Sequence, residues 1–270
     1  MAMNLTITQS EFESVLYVAT SKHMEVFNSV EPYIEKAKIE CVDYFFGGTE
    51  TDDERTITCA KDYICLDAFL NVFRQLDLVL TPTGFGVVAN STTSPASRQR
   101  VDALELQLKV SREKAKGRLI DNLTKVEGWG KTAAAQRCIR TVFYSIIIYE
   151  WYSTKPVSLE NWLAAQLDIM EADMKLRRKI SSAQMDKVLE SVRNGTVNND
   201  YSALLVRLQE FVSFYIDKSP LIGEKMNTII LLMEKDPSNY KEYMESNAYK
   251  VNHHEPFENE KDSPGFFFVG

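Results

Sequence analysis

The sequence predicts an all-α protein: a multi-helix bundle carrying two short extended segments, at about residues 80–88 and 265–269. Three observations carry that reading. Apolar residues recur at three-and-four spacing through most of the 270 residues. Ser, Thr and Asp stand repeatedly in front of those periodic runs, where helix caps belong. Pro and Gly cluster instead in two stretches, "LTPTGFGVVANSTTSPASRQR" and "DSPGFFFVG", and these interrupt the pattern.

The first helix is expected after Thr8 or Ser10, with Glu11 or Glu13 in its first turn and Val15, Leu16, Ala19, Val26, Phe27 and Val30 on its apolar face. Pro32 permits a fresh start for a helix through Ile34, Ala37, Ile39, Val42, Tyr44 and Phe45, which Gly47 and Gly48 stop. "TDDER" caps the next, whose face runs from Ile57 to Leu76. Pro82, Gly84 and Gly86 then forbid helix, and Phe85, Val87 and Val88 read as a short strand or an extended arm. Ser94 as cap and Pro95 in the first turn open a long helix from about 96 to 126, ended by Gly128 and Gly130.

A helix from about 132 to 151 is apolar almost all round in its second half, which places it at the centre of the core. Ser158 caps a helix whose apolar positions are Trp162, Leu163, Leu167, Met170 and Met174; Ser181 or Ser182 caps the next, and "RNGTVNND" breaks the chain. Helices at about 201–217 and 221–234 follow, and Asp236-Pro237 starts a short one. The chain reads as a single helical domain, 1–270. "ITQSEFESVL" from Ile7 and "ISSAQMDKVL" from Ile180 echo one another. One reading is a pseudo-repeat of two helical halves, about 1–130 and 131–270; the plainer one is that helix starts look alike.

Composition bounds function. A hydrophobic fraction of 44% with 11% aromatic residues is that of a folded globular chain, and a net charge of −7 argues against a nucleic-acid binder with a basic face. It leaves room for a ring through which DNA passes without sticking. The four cysteines form no C-x-x-C pair and read as reduced, buried, small hydrophobes. The first residues resemble no secretion signal, and the longest apolar run, Val142 to Tyr149, is far short of the ~20 residues a membrane span needs.

No catalytic, cofactor or metal site emerges. "GWGKT" at Gly128 to Thr132 has Lys125 where a phosphate loop needs its first glycine, and helical spacing where it needs a strand. "GFG" at Gly84 to Gly86 lacks the third glycine of a dinucleotide fingerprint. His23, His253 and His254 have no ligand partner at helical spacing, and the acidic clusters Asp52-Asp53-Glu54 and Glu258, Glu260, Asp262 read as caps and solvated tail. The chain therefore reads as no enzyme and as needing no cofactor. Three consecutive phenylalanines in an acidic tail need cover, either on their own domain or in another subunit. The candidate assembly contacts are accordingly Thr83, Gly84, Phe85, Gly86, Val87, Val88, Arg98, Arg100, Phe266, Phe267 and Phe268.

Two pieces of the chain, Leu80 to Val88 with Pro95-Ala96-Ser97 and Arg98 or Arg100, and Glu258 through Phe268, resemble uncharacterised virion proteins of gut-bacterial tailed phages and prophages. Together they cover about a sixth of the sequence. The resemblance implies a structural virion protein of the head–tail connector (adaptor) type, present in the virion and in the host cytoplasm during assembly. It would be a homo-oligomer, a dodecameric ring beneath the portal protein, with neighbouring neck or tail proteins as further partners. DNA would pass through its channel without sequence-specific binding, and no membrane would be involved. A tail-completion role is not separated from a connector by these residues. The alternative is a host-encoded helical interaction or scaffold module without enzymatic activity, its arms packed on its own body.

Overall fold

The computed structural model describes residues 3–16, 25–76, 78–81, 84–87, 97–197 and 199–253. Among these are twelve α-helices and one β-hairpin. Thr8 opens α1 (Gln9–Val15) with a capping box: its hydroxyl accepts from the Glu11 N–H at 3.3 Å while its own N–H donates to Glu11 Oε2 at 2.8 Å. Glu11 also takes Lys61 Nζ at 2.7 Å, which fastens α1 to the third helix and holds its carboxyl down at about 2. Phe12, fully buried, meets Phe27 and Phe69 edge-on.

Pro32 starts no new helix. It lies inside α2 (Glu25–Cys41), which runs on into a π-helical turn, Val42–Phe46. Gly47, at φ 59°, ends that turn where a Cβ would stand 2.7 Å from Ala134 Cβ. Asp53 then caps α3 (Glu54–Val72), accepting from the Thr56 N–H and hydroxyl, each at 2.7 Å.

After a 3₁₀ turn at Phe73–Gln75, β1 (Leu78–Thr81) and β2 (Gly84–Val87) pair antiparallel, with Leu78 opposite Val87 and Thr81 opposite Gly84. The segment expected to be extended, 80–88, overlaps this hairpin; Pro82, Thr83 and Val88 lie outside the described residues, as do 265–269. Ser94 and Pro95, expected to open the following helix, are also outside them. α4 (Arg98–Leu123) has Ser97 as its N-cap and packs back along α3. Arg74 closes the base of the hairpin by bonding Asp102 Oδ1 and Glu105 Oε2 of α4, both at 2.6 Å.

The single helix expected over 132–151 is two. Thr132 caps α5 (Ala133–Cys138), Ser145 caps α6 (Ile146–Tyr152), and 139–145 is irregular between them. Partners from later in the chain satisfy the carbonyls that leave the helix. Ile139 O accepts from Arg193 Nε at 3.0 Å and Nη2 at 2.7 Å, and Val142 O accepts from Gln209 Nε2 at 3.0 Å. Tertiary hydrogen bonds thus outweigh the helical preference of an apolar run.

Ser158 caps α7 (Leu159–Ile180) and Ser181, at φ 82°, caps α8 (Ser182–Arg193). α9 (Asn199–Ile216) packs on α7 and on α10 (Ile222–Lys235). Asp236 forms a turn and not the expected helix start; α11 (Lys241–Met244) and α12 (Asn247–Asn252) come later and close on α8 and α7. Buried side chains from Leu5 to Tyr243 make one contiguous cluster, shared by the stretches on either side of residue 130.

Candidate functional site

The backbone of Gly84 to Val87 is β2 of the hairpin. Arg98 and Arg100 are exposed in the first turn of α4, with Arg98 Nε 3.7 Å from Asp102. Thr83, Val88, Phe266, Phe267 and Phe268 lie outside the described residues. The structure therefore places some of the expected contacts on the hairpin and its exit, and says nothing of the rest.

"GWGKT" is a joint between the two stretches of the chain. α4 ends at Leu123, before either glycine, so Gly128 and Gly130 are not its stop. Gly128 turns the chain at φ 81° into a 3₁₀ turn, Trp129–Lys131. Its amides bond internally, Trp129 N to Val126 O, Lys131 N to Gly128 O and Thr132 N to Trp129 O, so these donors do not form a nest for an anion. Trp129 is fully buried and its indole N–H reaches Phe45 O at 2.7 Å. Gly130 lies against the end of α8, where a Cβ would meet Arg193 O at 2.6 Å.

Among the described residues, no group of His, Cys, Asp or Glu is arranged to hold a metal. His253 stacks on Tyr249 and sits 3.0 Å from Glu234 Oε1. The cysteines are free, and burial pushes the thiols of Cys41 and Cys65 up to about 12. No helix among the described residues is long and apolar enough to cross a membrane.

A groove of about 650 Å³ between α4, the 137–146 segment and α7 collects charge that the sequence reading did not single out. On α4, Lys109, Glu113 and Lys116 stand at i, i+4 and i+7, with Arg112 beside them, so one face points into the groove. Gly117, also on the groove, lets Ser145 and Ile147 come close: a Cβ there would stand 3.2 and 3.0 Å from them. The broken helix supplies Arg137 and Arg140, and α7 supplies an apolar wall including Trp162, Leu163 and Met170. Five cations and one carboxylate line this groove, on a chain whose net charge is −7.

Their bonding is uneven. Arg112 Nη1 pairs with Asp67 at 3.1 Å, and Lys109 with Glu105 at 2.6 Å. Arg137 spends Nη2 on Tyr44 O, at 2.5 Å, and lays its guanidinium over the Tyr44 ring. The Nε atoms of Arg112 and Arg137 are buried without a partner, and exposed Arg140 makes no hydrogen bond or ion pair among the described residues. Burial pushes the Cys138 thiol up to about 11, while Lys116, Arg137 and Arg140 together pull it down, so three positive charges converge there.

The wall continues along α7. Trp162, Ala165, Ile169, Ala172 and Leu176 are buried, whereas Leu163, Leu167, Met170 and Met174 are 59%, 66%, 61% and 53% exposed. Of the apolar positions expected on this helix, only Trp162 is in the core. α7 is apolar on two faces, and its alanines admit the close approach of neighbours on the other one. The basic spacing of Lys109, Arg112 and Lys116, and the pair Arg137 and Arg140, were the sequence signals for the groove.

Residues 25–139, α2 through α5, match the model of a family of unknown function (DUF6712). No curated protein and no solved structure matches the chain.

Proposed function

We propose that this chain is a structural virion protein, a head–tail connector or adaptor that assembles as a ring below the portal around the DNA channel. The observation that carries the assembly part is the stripe of Leu163, Leu167, Met170 and Met174 on α7, each more than half exposed. A solitary chain gains nothing from holding four large apolar side chains in water on one helix face, whereas a partner surface that covers them does. The resemblance of residues 80–100 and 258–268 to phage virion proteins supplies the virion context. The hairpin formed by 78–81 and 84–87 is a second contact surface in this reading, and Arg98 and Arg100 at its exit face acidic partners. The negative net charge suits a lumen that DNA slides through.

The test is mass by multi-angle light scattering on the full chain, alone and mixed with the portal encoded near it. A ring, or a complex that forms with the portal, is the expected result. A chain that stays monomeric and ignores the portal would overturn the reading in favour of a host-encoded interaction module.

A further inference from the structure

The groove and the stripe share Leu163 and Met170, so they present one surface with a basic part and an apolar part. Its ligand should be anionic, apolar and extended. We propose that this surface receives the C-terminal segment, residues 255–268, of a second copy of this chain.

That segment, "EPFENEKDSPGFFF", matches the surface in charge, side chains and reach. Glu255, Glu258, Glu260 and Asp262 outnumber its single lysine by four to one, against the five cations and one carboxylate of the groove. Arg140, without a partner among the described residues, is the cation with most to gain from a carboxylate. Behind the acidic part come Phe266, Phe267 and Phe268, which require apolar cover of the kind that the α7 stripe offers. Pro256 and Pro264 lack the backbone donor that a helix interior uses, so the sequence of this segment does not favour one. Fourteen extended residues reach roughly 45–50 Å, well over the roughly 17 Å that separates Leu163 from Met174 along a helix.

Nucleic acid is a poorer fit, because the outer wall is aliphatic and the chain carries a net charge of −7. Donor and acceptor are different surfaces, so the contact is heterologous, and repeated from copy to copy it makes a ring where the rotation between copies closes and an open filament where it does not. The identity of the donor as a second copy rests on the assembly reading above; the chemistry of the groove does not.

The experiment uses the full chain and a fluorescein-labelled peptide of residues 255–268, followed by anisotropy. Saturable binding is expected, weakening with salt and about tenfold weaker in Arg140→Glu, the loss typical of reversing one charge at an interface. Exposed Arg140 can be reversed without disturbing the core. Mixing Arg140→Glu chains with Glu258→Lys, Glu260→Lys, Asp262→Lys chains should then form a mixed pair, the acidic segment of the former on the intact groove of the latter, more readily than either variant associates with itself. Absence of peptide binding, or binding indifferent to Arg140→Glu, overturns the proposal. Displacement of the peptide by a single-stranded oligonucleotide overturns it in favour of a nucleic-acid surface. Arg140-dependent binding in a full chain that never exceeds monomer mass overturns the second copy as donor, while failure to bind the portal alone bears only on the connector role.

Discussion

Substituting Gly130 by Ala isolates the contact on which the joint between the two stretches of the chain turns. Gly130 has no positive φ, so alanine meets no backbone strain, and lower unfolded-state entropy should on its own stabilise by roughly 0.4–1 kcal/mol. Against that, besides the movable side chain of Asn194, whose Oδ1 stands nearest, the new Cβ would lie 2.6 Å from Arg193 O and 2.7 Å from Arg193 C, well inside contact distance. Those are backbone atoms at the end of a helix, where the Asn194 N–H and its side-chain amide both donate to Glu190 O. Relief therefore requires either unwinding the last turn of α8 or moving the 129–131 turn, which drags the Trp129 indole from Phe45 O. Overpacking of this kind costs typically 1–3 kcal/mol, so the clash wins, with a net loss of about 1.3 kcal/mol, or roughly 3–5 °C in Tm. Gly223→Ala in α10 is the control, because no atom stands within 4 Å of its Cβ position and helix propensity alone should stabilise it by up to about 1 kcal/mol. Urea unfolding followed by circular dichroism measures both. A Gly130→Ala loss below about 0.5 kcal/mol, or its full recovery in the double variant with Asn194→Ala, would refute close backbone approach as the reason for glycine.

Gln209→Leu keeps volume and removes the donor to Val142 O, leaving a buried carbonyl unpaired; urea unfolding should show a loss of about 1–3 kcal/mol, and unchanged stability would mean that the carbonyl finds another partner. Glu11, ordinarily near 4.5, is held at about 2 by Lys61 first and by the Thr8 N–H next. Its contribution is present above pH 4.5 and is lost as pH falls towards 2. With the side chain 42% exposed, solvent screening leaves about 1 kcal/mol. The stability gap between wild type and Glu11→Gln should accordingly be full at pH 6 and gone near pH 2, and a gap independent of pH would refute the ion pair as its source.

Helix starts were legible because a cap is a local event. Thr8, Asp53, Ser158 and Ser181 each accept from an amide three residues on, and the sequence alone carries that relation. Two features are not local. α7 shows apolar residues on two faces, and only the position of α9 and α12 decides that Ala165, Ile169 and Ala172 are covered while Leu163 and Met170 are not. The break at 139–145 depends on Arg193 and Gln209, whose relation to Ile139 and Val142 no periodicity encodes. The groove follows from both. Its cations could be read from their spacing on α4 and over Arg137 to Arg140, but its wall was hidden, because an exposed apolar stripe and a core stripe have the same pattern in sequence.

The interrupted helix also sets an order in time. Arg193 follows Ile139 by 54 residues and Gln209 follows Val142 by 67. At ribosomal rates of roughly 5–20 residues per second, these partners arrive roughly 3–13 s after the carbonyls they serve. Throughout that interval the carbonyls of Ile139 and Val142 lack the side chains that bond them in the finished fold, so this part of the chain takes its final hydrogen bonds only once α8 and α9 have been made.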